Sequence, residues 1–141
     1  GRARFGKSIM LSRQDGTRRG IKAIKSGYPF FYLPDMDYGA RDTIFVPFFG
    51  VPAATITGLS RLARLTGAAV LPVVARMTQD KDCGYVVEIG KPWNDFPGDS
   101  IEADTRRMNA FIEAEVLQKP EQYFWLHRRF KTRPPGEKRP Y

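Results

Sequence analysis

Residues 32–50 read YLPDMDYGARDTIFVPFFG and place the aspartates Asp35 and Asp37 directly after an aromatic segment and ahead of an apolar one. The preceding aromatic run, residues 28–33, is compact and predicts a buried strand. Pro34 is expected to end that strand, because proline cannot donate a hydrogen bond to a sheet ladder. Asp35 and Asp37 are therefore predicted to lie just past a strand end.

Strand and helix signals alternate on both sides of this segment. Helices are predicted over residues 15–26 with Asp15 as cap, over residues 53–66, from Ser100 towards Pro120, and over residues 121–130. Further strands are predicted over residues 43–49, 68–75 and 84–89. This order predicts an α/β fold with a mixed, partly parallel sheet flanked by helices, since a helix-length crossover returns a chain to a parallel neighbour.

Two features of this prediction bear on function. The run at 68–75 is apolar throughout, which is typical of a strand covered on both faces. In α/β sheets, ligands bind outside the carboxyl ends of strands. The position assigned to Asp35 and Asp37 therefore makes them site candidates, although aspartates are also common in turns that have no function.

Size and cysteine content indicate a single folded domain. The chain has 141 residues, of which 42% are apolar, enough for one core. Cys83 is the one cysteine, so no disulfide forms within the chain, and a reducing compartment is the simplest interpretation. The sequence opens on Gly1 and a basic string rather than on methionine, so we expect it to be part of a longer protein.

The charge predicts an anionic partner. The formal net charge is +8, from 23 basic and 15 acidic residues, and nucleic acid, anionic lipid and phosphorylated small molecules all fit it. An aromatic content of 13% argues against a disordered basic tail. The basic cluster at 128–131 is interleaved with the aromatic residues of 123–130, a mixture suited to a membrane interface or to stacked bases.

Motifs of a complete catalytic site are not found in the sequence. It contains no G-x-S-x-G elbow and no glycine-rich phosphate loop, and one histidine with one cysteine gives no metal-ligand spacing, so no metal and no cofactor is predicted. His127 is interpreted as a structural residue that packs beside Trp125 or makes a structural hydrogen bond. Two function classes remain: an enzyme acting on an anionic, phospholipid-like substrate at a membrane, and a basic, aromatic-rich nucleic-acid-binding module. The aromatic runs at 28–32 and 45–49 are more typical of a core than of an exposed stacking platform, which favours the enzyme.

Four segments carry a resemblance to a known family. They are PDMDYG at 34–39, FVPFFGVPAAT at 45–55, LPV at 71–73 and PEQYFWLHRRFKTRP at 120–134. In this order they closely resemble the late acyltransferases of lipid A biosynthesis, the lauroyl and myristoyl transferases of Gram-negative bacteria. The resemblance implies that residues 1–130 are the C-terminal part of a glycerolipid-acyltransferase-like α/β domain and that residues 131–141 are an extended tail.

The resemblance also implies a reaction. An acyl group passes from acyl carrier protein to a hydroxyl of the lipid A precursor at the cytoplasmic face of the inner membrane, with no nucleic-acid partner. The family hallmark is a histidine followed five residues later by Asp or Glu, in which the histidine takes the proton of the acceptor hydroxyl. His127 is followed at that distance by Thr132. The general base is therefore expected outside this chain, and the chain alone is expected to be inactive.

Site residues are implied position by position. Asp35 and Arg2 match family positions that support catalysis, with Arg4 as the alternative to Arg2. The arginine is expected to hold a phosphate of the disaccharide or of the donor's phosphopantetheine, and Asp35 to fix that arginine or the catalytic histidine. Structural roles for these residues remain open. The substrate-binding candidates are Arg4, Asp37, Arg128, Arg129 and Lys131.

Overall fold

Helices and short strand pairs alternate in the computed structural model, which describes residue 6 and residues 8–11, 16–78 and 84–141. The helices are α1 (Gly16–Lys25), α2 (Gly58–Thr66) and α3 (Ile101–Gln118), and the strands are β1 (Thr43–Phe48), β2 (Val51–Ile56), β3 (Val73–Met77) and β4 (Tyr85–Ile89). Two 3-10 turns, Pro120–Gln122 and Trp125–His127, follow α3. The predictions for α1, β1, β4 and α3 are confirmed, while the predicted cap Asp15 lies outside the described residues.

The strands form two antiparallel pairs, β1 with β2 and β3 with β4. The predicted mixed, partly parallel sheet is not found among the described residues and is corrected here. The reason is the length of the connections, because short links join antiparallel neighbours and a parallel pair needs a long crossover. The β1–β2 link is Phe49 and Gly50, both with positive φ (49° and 76°), the backbone that a two-residue hairpin turn requires.

Two predicted elements near this hairpin are wrong. Residues 28–33 form no strand. Their aromatic side chains do not share one buried face: Phe31 is 72% exposed, whereas Tyr32 is half-buried. The helix predicted over 53–66 begins only at Gly58, because the preceding residues pair with β1 and bury Ala53 and Ala54 completely. Asp35 and Asp37 consequently lie in an irregular segment and not at a strand end.

Two later elements also differ from the prediction. The apolar run at 68–75 contributes to β3 only from Val73 onward, and its side chains are exposed or half-buried rather than covered on both faces. Residues 121–130 form two 3-10 turns in place of a helix. The second turn ends at Arg128, whose φ of 55° is left-handed and incompatible with helix continuation.

The core lies where α3 packs against the β1–β2 hairpin. Val46 and Phe48 of β1 are 1% and 0% exposed, and Met108 of α3 is 3% exposed. Asn109 of α3 donates its side-chain N–H groups to the carbonyl oxygen of Pro47 at 3.0 Å and to Thr55 Oγ1 at 3.3 Å. This contact fixes the hairpin on the helix, and the hairpin in turn supports the C-terminal segment.

A second polar cluster fixes α2 to the start of α3. Ser100 is the predicted N-cap of α3, and its hydroxyl accepts a hydrogen bond from the N–H of Ala103 at 3.0 Å. The carboxylate of Asp104 is buried and accepts hydrogen bonds from Gly98 N at 2.7 Å and from Arg64 Nη2 at 3.1 Å. It also accepts one from the hydroxyl of Ser60. Because both carboxylate oxygens accept hydrogen bonds and Arg64 supplies an opposite charge, the buried charge is compensated and joins the two helices.

Candidate functional site

Arg129 anchors the C-terminal segment to the β1–β2 hairpin. The residue is 3% exposed, and its Nη1 donates to the carbonyl oxygen of Ala54 and its Nη2 to Thr55 Oγ1, both at 2.7 Å. The guanidinium carbon lies 5.1 Å from the ring centroid of Phe48, a cation–π distance. Arg129 is thus a charged group held inside the fold, and the substrate-binding role assigned to it above stays a prediction.

Asp37 holds the same segment from the other side. It is 4% exposed, and its carboxylate accepts hydrogen bonds from Gly39 N at 2.9 Å, Thr132 N at 2.8 Å and Thr132 Oγ1 at 2.9 Å. Three charge-assisted bonds to the protein itself give Asp37 the geometry of a structural clasp. The substrate-binding role assigned to it stays a prediction.

Asp35 differs from its neighbour two residues away. Its side chain is half-buried, and none of the described residues donates a hydrogen bond to its carboxylate. Its negative charge nevertheless raises the pKa of Tyr123 and opposes the lowering of the pKa of Arg129. Asp35 is therefore the acid of this cluster that is available to another group.

Tyr123 and Arg129 each carry a buried polar atom that is not used within the described part of the chain. The Tyr123 hydroxyl and the Arg129 Nε are buried and have no hydrogen-bond partner among the described residues. Burial raises the pKa of Tyr123, the charge of Asp35 raises it further, and Arg129 offsets part of this rise. Burial lowers the pKa of Arg129, and the nearby Tyr123, Asp37, Asp35 and Tyr141 oppose that effect. These residues are thus one half-buried carboxylate and two buried donors that have no partner among the described residues.

Replacing Tyr123 by phenylalanine is expected to reduce the fall in the free energy of unfolding that the wild type shows at alkaline pH. Folding raises the pKa of the Tyr123 phenol, so the folded chain keeps a proton that the unfolded chain loses above pH of about 10. The free energy of unfolding of the wild type therefore falls as pH rises through about 10 and beyond. Urea unfolding of the Tyr123→Phe variant between neutral and alkaline pH should show a smaller fall.

Two other tyrosines bear on that experiment. Burial also raises the pKa of Tyr32, so the free energy of unfolding of the Tyr123→Phe variant still falls in part as the pH rises. Tyr85 is 70% exposed, so Tyr85→Phe serves as the matched control and should follow the wild-type profile. Identical alkaline slopes for wild type and Tyr123→Phe would contradict the assigned burial of the phenol.

The remaining predicted site residues lie on the surface or outside the described part. Arg128 and Lys131 are exposed, next to a surface formed by Phe124, Trp125 and Leu126 that we call the aromatic tip. The tip residues are 62%, 52% and 83% exposed, respectively. Arg2 and Arg4 lie outside the described residues, so their roles stay predictions.

His127 makes contacts within the fold, of the kind that the structural interpretation predicted. Its Nδ1 donates to the carbonyl oxygen of Phe124 at 2.6 Å, and its ring stacks on Phe124 and meets Tyr123 edge to face. Trp125 packs instead against Tyr123, with ring centroids 4.9 Å apart. Of the two structural interpretations, the hydrogen bond is confirmed, and the packing partners are Tyr123 and Phe124 rather than Trp125.

Sequence reasoning missed two residues of the cluster. Thr132 closes the clasp on Asp37, and Tyr123 supplies the buried phenol. Both lie in the segment at 120–134 that carries the strongest resemblance. The sequence drew attention to the basic and aromatic character of that segment as a whole and not to these two side chains.

Among the described residues, no helix has the length and apolar composition needed to cross a membrane.

Comparison with known proteins identifies the family. The family model "Bacterial lipid A biosynthesis acyltransferase" matches residues 1–132. The lipid A biosynthesis lauroyltransferase of Escherichia coli K12 is 47% identical over 137 residues, which cover 96% of this chain and 44% of that protein. The palmitoleoyltransferase of the same organism is 42% identical over 138 residues (97% and 44%), and the myristoyltransferase is 36% identical over 144 residues (99% and 43%). This chain thus spans less than half the length of these relatives. It belongs to the bacterial lipid A biosynthesis acyltransferase family.

Proposed function

We propose that the chain is part of an enzyme that transfers a fatty acyl group from acyl carrier protein to a hydroxyl of the lipid A precursor, in lipopolysaccharide biosynthesis. The observation that carries this proposal is the 47% identity over 137 residues with a protein named as a lauroyltransferase of lipid A biosynthesis. Relatives named for lauroyl, palmitoleoyl and myristoyl groups match the same part of the chain. They support acyl transfer in general without favouring one acyl length.

The proposed reaction exchanges a thioester for an ester. A general base takes the proton of the acceptor hydroxyl, and the hydroxyl oxygen attacks the thioester carbonyl carbon. The carbon–sulfur bond then breaks, and the departing thiolate takes up the proton held by the base. The base is the histidine expected outside this chain. The residues of this chain support the base and the anionic substrates.

Asp35 is assigned a positioning role in this reaction. Its carboxylate has no hydrogen bond from the described residues, while Asp37, two positions on, is fully bonded within the protein. An acid that is held beside buried polar groups and remains available can orient an imidazole or a guanidinium by accepting its N–H. The candidates are the catalytic histidine and the arginine at position 2, with position 4 as the alternative. That arginine is proposed to hold a phosphate of the acceptor or of the donor's phosphopantetheine.

The aromatic tip is proposed to contact the cytoplasmic face of the inner membrane. Phe124, Trp125 and Leu126 are exposed although apolar, and Arg128 and Lys131 are exposed next to them in the chain. Aromatic rings favour the headgroup level of a bilayer, and each basic residue near an anionic surface contributes about 1 kcal/mol. The tip combines both contributions and would bring the enzyme to its lipid acceptor.

The reaction is tested with the full-length acyltransferase that carries this sequence. Incubation with the lipid A precursor and either lauroyl-, myristoyl- or palmitoleoyl-acyl carrier protein should add one acyl chain, seen by mass spectrometry of the lipid. The 141-residue chain alone should add none. Failure of the full-length protein with all three donors would contradict the proposed function.

Membrane contact is tested with the chain itself. It should sediment with vesicles of phosphatidylglycerol, and the Leu126→Glu variant should bind these vesicles about tenfold more weakly, because a carboxylate near an anionic surface is repelled and costs free energy to desolvate. Leu126 is 83% exposed, so the substitution leaves the packing unchanged.

The control for that measurement is Leu65→Glu. Leu65 is 57% exposed on α2, away from the tip in sequence, and this variant should bind vesicles as the wild type does. Equal binding by Leu126→Glu and Leu65→Glu would show that the aromatic tip does not contact the membrane. Tight binding to single-stranded RNA at moderate salt, with no binding to vesicles, would favour the nucleic-acid-binding alternative.

A further inference from the structure

The β3–β4 hairpin carries an open apolar face. The antiparallel register pairs Val73 with Ile89, Ala75 with Val87 and Met77 with Tyr85, so the six side chains share one face. We call these six residues the apolar hairpin face. All six are exposed, including Tyr85 at 70%, Ile89 at 69% and Val87 at 59%, and none is charged. An uninterrupted apolar face is thus presented by a regular, paired element.

One residue of the opposite face ties the hairpin to the rest of the fold. Arg76, whose side chain is 12% exposed, forms an ion pair with Glu115 of α3 and donates from Nη2 to Gln118 Oε1 at 2.9 Å. This contact joins β3 to α3, whereas Val86 and Glu88 on the same face of β4 are exposed. The apolar hairpin face is the face that Arg76 leaves free.

The outer edge of β3 is open as well. Pro72 O accepts from Gly90 N, and Thr78 N donates to Gly84 O, both at 2.9 Å. Since ladder bonds alternate along an antiparallel pair, the backbone N–H and C=O groups of Val73, Ala75 and Met77 point away from β4. Those of Met77 are bonded by the side chain of Gln122, at 2.9 Å to N and 3.1 Å to O. Among the described residues, those of Val73 and Ala75 have no partner.

Open edges and apolar faces are rarely left together in folded proteins. Natural sheets protect their edges with charges, proline or covering segments, and monomers seldom expose apolar patches larger than a few hundred Å². The run at 68–75 is apolar on both sides of the strand, the pattern of a strand covered on both faces. The first three residues of β3 (73–75) thus have the sequence of an inner strand, while their surroundings are those of an edge.

We propose that the apolar hairpin face and the free edge of β3 bind the part of the acyltransferase that this chain does not span. The matched relatives are more than twice as long as the segment they share with this chain, since that segment covers 44% of the lauroyltransferase. The occupant is a strand that hydrogen-bonds to Val73 and Ala75, together with apolar side chains that pack on the face. This proposal rests on family membership and on the hairpin, and it does not depend on the proposed reaction.

The test is co-expression of the tagged chain with the unmatched part of the Escherichia coli lauroyltransferase, followed by capture in mild detergent. The two polypeptides should be recovered together. Val87→Lys should lower the recovered partner about tenfold, because it places a charge in an apolar contact. Leu65→Lys, at an exposed apolar position of α2, is the control and should leave recovery within about twofold of the wild type.

A second measurement needs no variant. Amide hydrogen exchange at Val73 and Ala75 should slow at least about tenfold when the partner is bound, because both amides gain a hydrogen-bond acceptor. Unchanged exchange in a recovered complex would overturn the proposal, and so would equal losses for Val87→Lys and Leu65→Lys. A dimer of the chain that forms through this face and is not displaced by the partner would overturn it in favour of a second copy.

Discussion

Replacement of Asp35 by asparagine should lower kcat of the full-length acyltransferase about 100-fold, while the melting temperature stays within about 2 °C of the wild type. The activity falls because an amide oxygen is a weaker acceptor than a carboxylate and orients an imidazole or guanidinium less firmly. The fold is retained because none of the described residues donates a hydrogen bond to Asp35. The measurements are acyl transfer at saturating donor and a thermal melt of the same preparation.

Asp37 supplies the matched comparison. The two carboxylates are two residues apart, but Asp37 is buried and accepts three hydrogen bonds, two of them from Thr132. Asp37→Asn should lower the free energy of unfolding by about 2 kcal/mol, because the new amide cannot accept all three bonds and leaves a buried donor unpaired. If instead Asp35→Asn kept near-normal kcat, Asp35 would have no place in the site.

Replacement of Arg129 by methionine should lower the free energy of unfolding by about 3 kcal/mol, or about 10 °C in melting temperature. The substitution removes two 2.7 Å hydrogen bonds, to Ala54 O and Thr55 Oγ1, and leaves these acceptors buried. It also removes the positive charge that stands beside Asp35 and Asp37. Urea unfolding of the 141-residue chain gives the value directly.

The neighbouring arginine is the control. Arg128 is exposed and has the same side chain, so Arg128→Met should change the free energy of unfolding by less than about 0.5 kcal/mol. Arg129→Lys should fall between the two, because a lysine keeps the charge but cannot donate two parallel bonds. Similar losses for Arg128→Met and Arg129→Met would show that Arg129 does not anchor the segment.

Elements whose signals are local could be predicted from the sequence. The clearest is α3, where Ser100 caps the first turn and Glu102 and Asp104 lie at its positive end. β2 could not be predicted in the same way. Its residues include Ala53 and Ala54, which fit a helix equally well, and only pairing with β1 and complete burial make them a strand. Such pairing is a tertiary effect that overrides local preference.

The site shows the same division. The sequence pattern singled out Asp35 and Asp37 together, and the resemblance assigned Asp35 to catalysis and Asp37 to substrate binding. The bonds that hold Asp37 within the fold could not be predicted, because its partner Thr132 lies 95 residues later in the chain. Arg128 and Arg129 were indistinguishable. The left-handed backbone of Arg128 marks the end of the preceding 3-10 turn, and it is Arg129 whose side chain reaches the buried carbonyl of Ala54. Both distinctions depend on contacts between distant parts of the chain.

The clasp of the C-terminal segment also constrains how the protein is made. Ala54 and Asp37 receive their partners from Arg129 and Thr132, which are 75 and 95 residues later and are therefore synthesised later. A nascent chain must hold the hairpin with unpaired polar groups until these residues have been added, and contacts of such long range form slowly. Premature termination shortly before Arg129 would leave these groups without partners, so that a truncated product becomes a ready target for quality-control proteases.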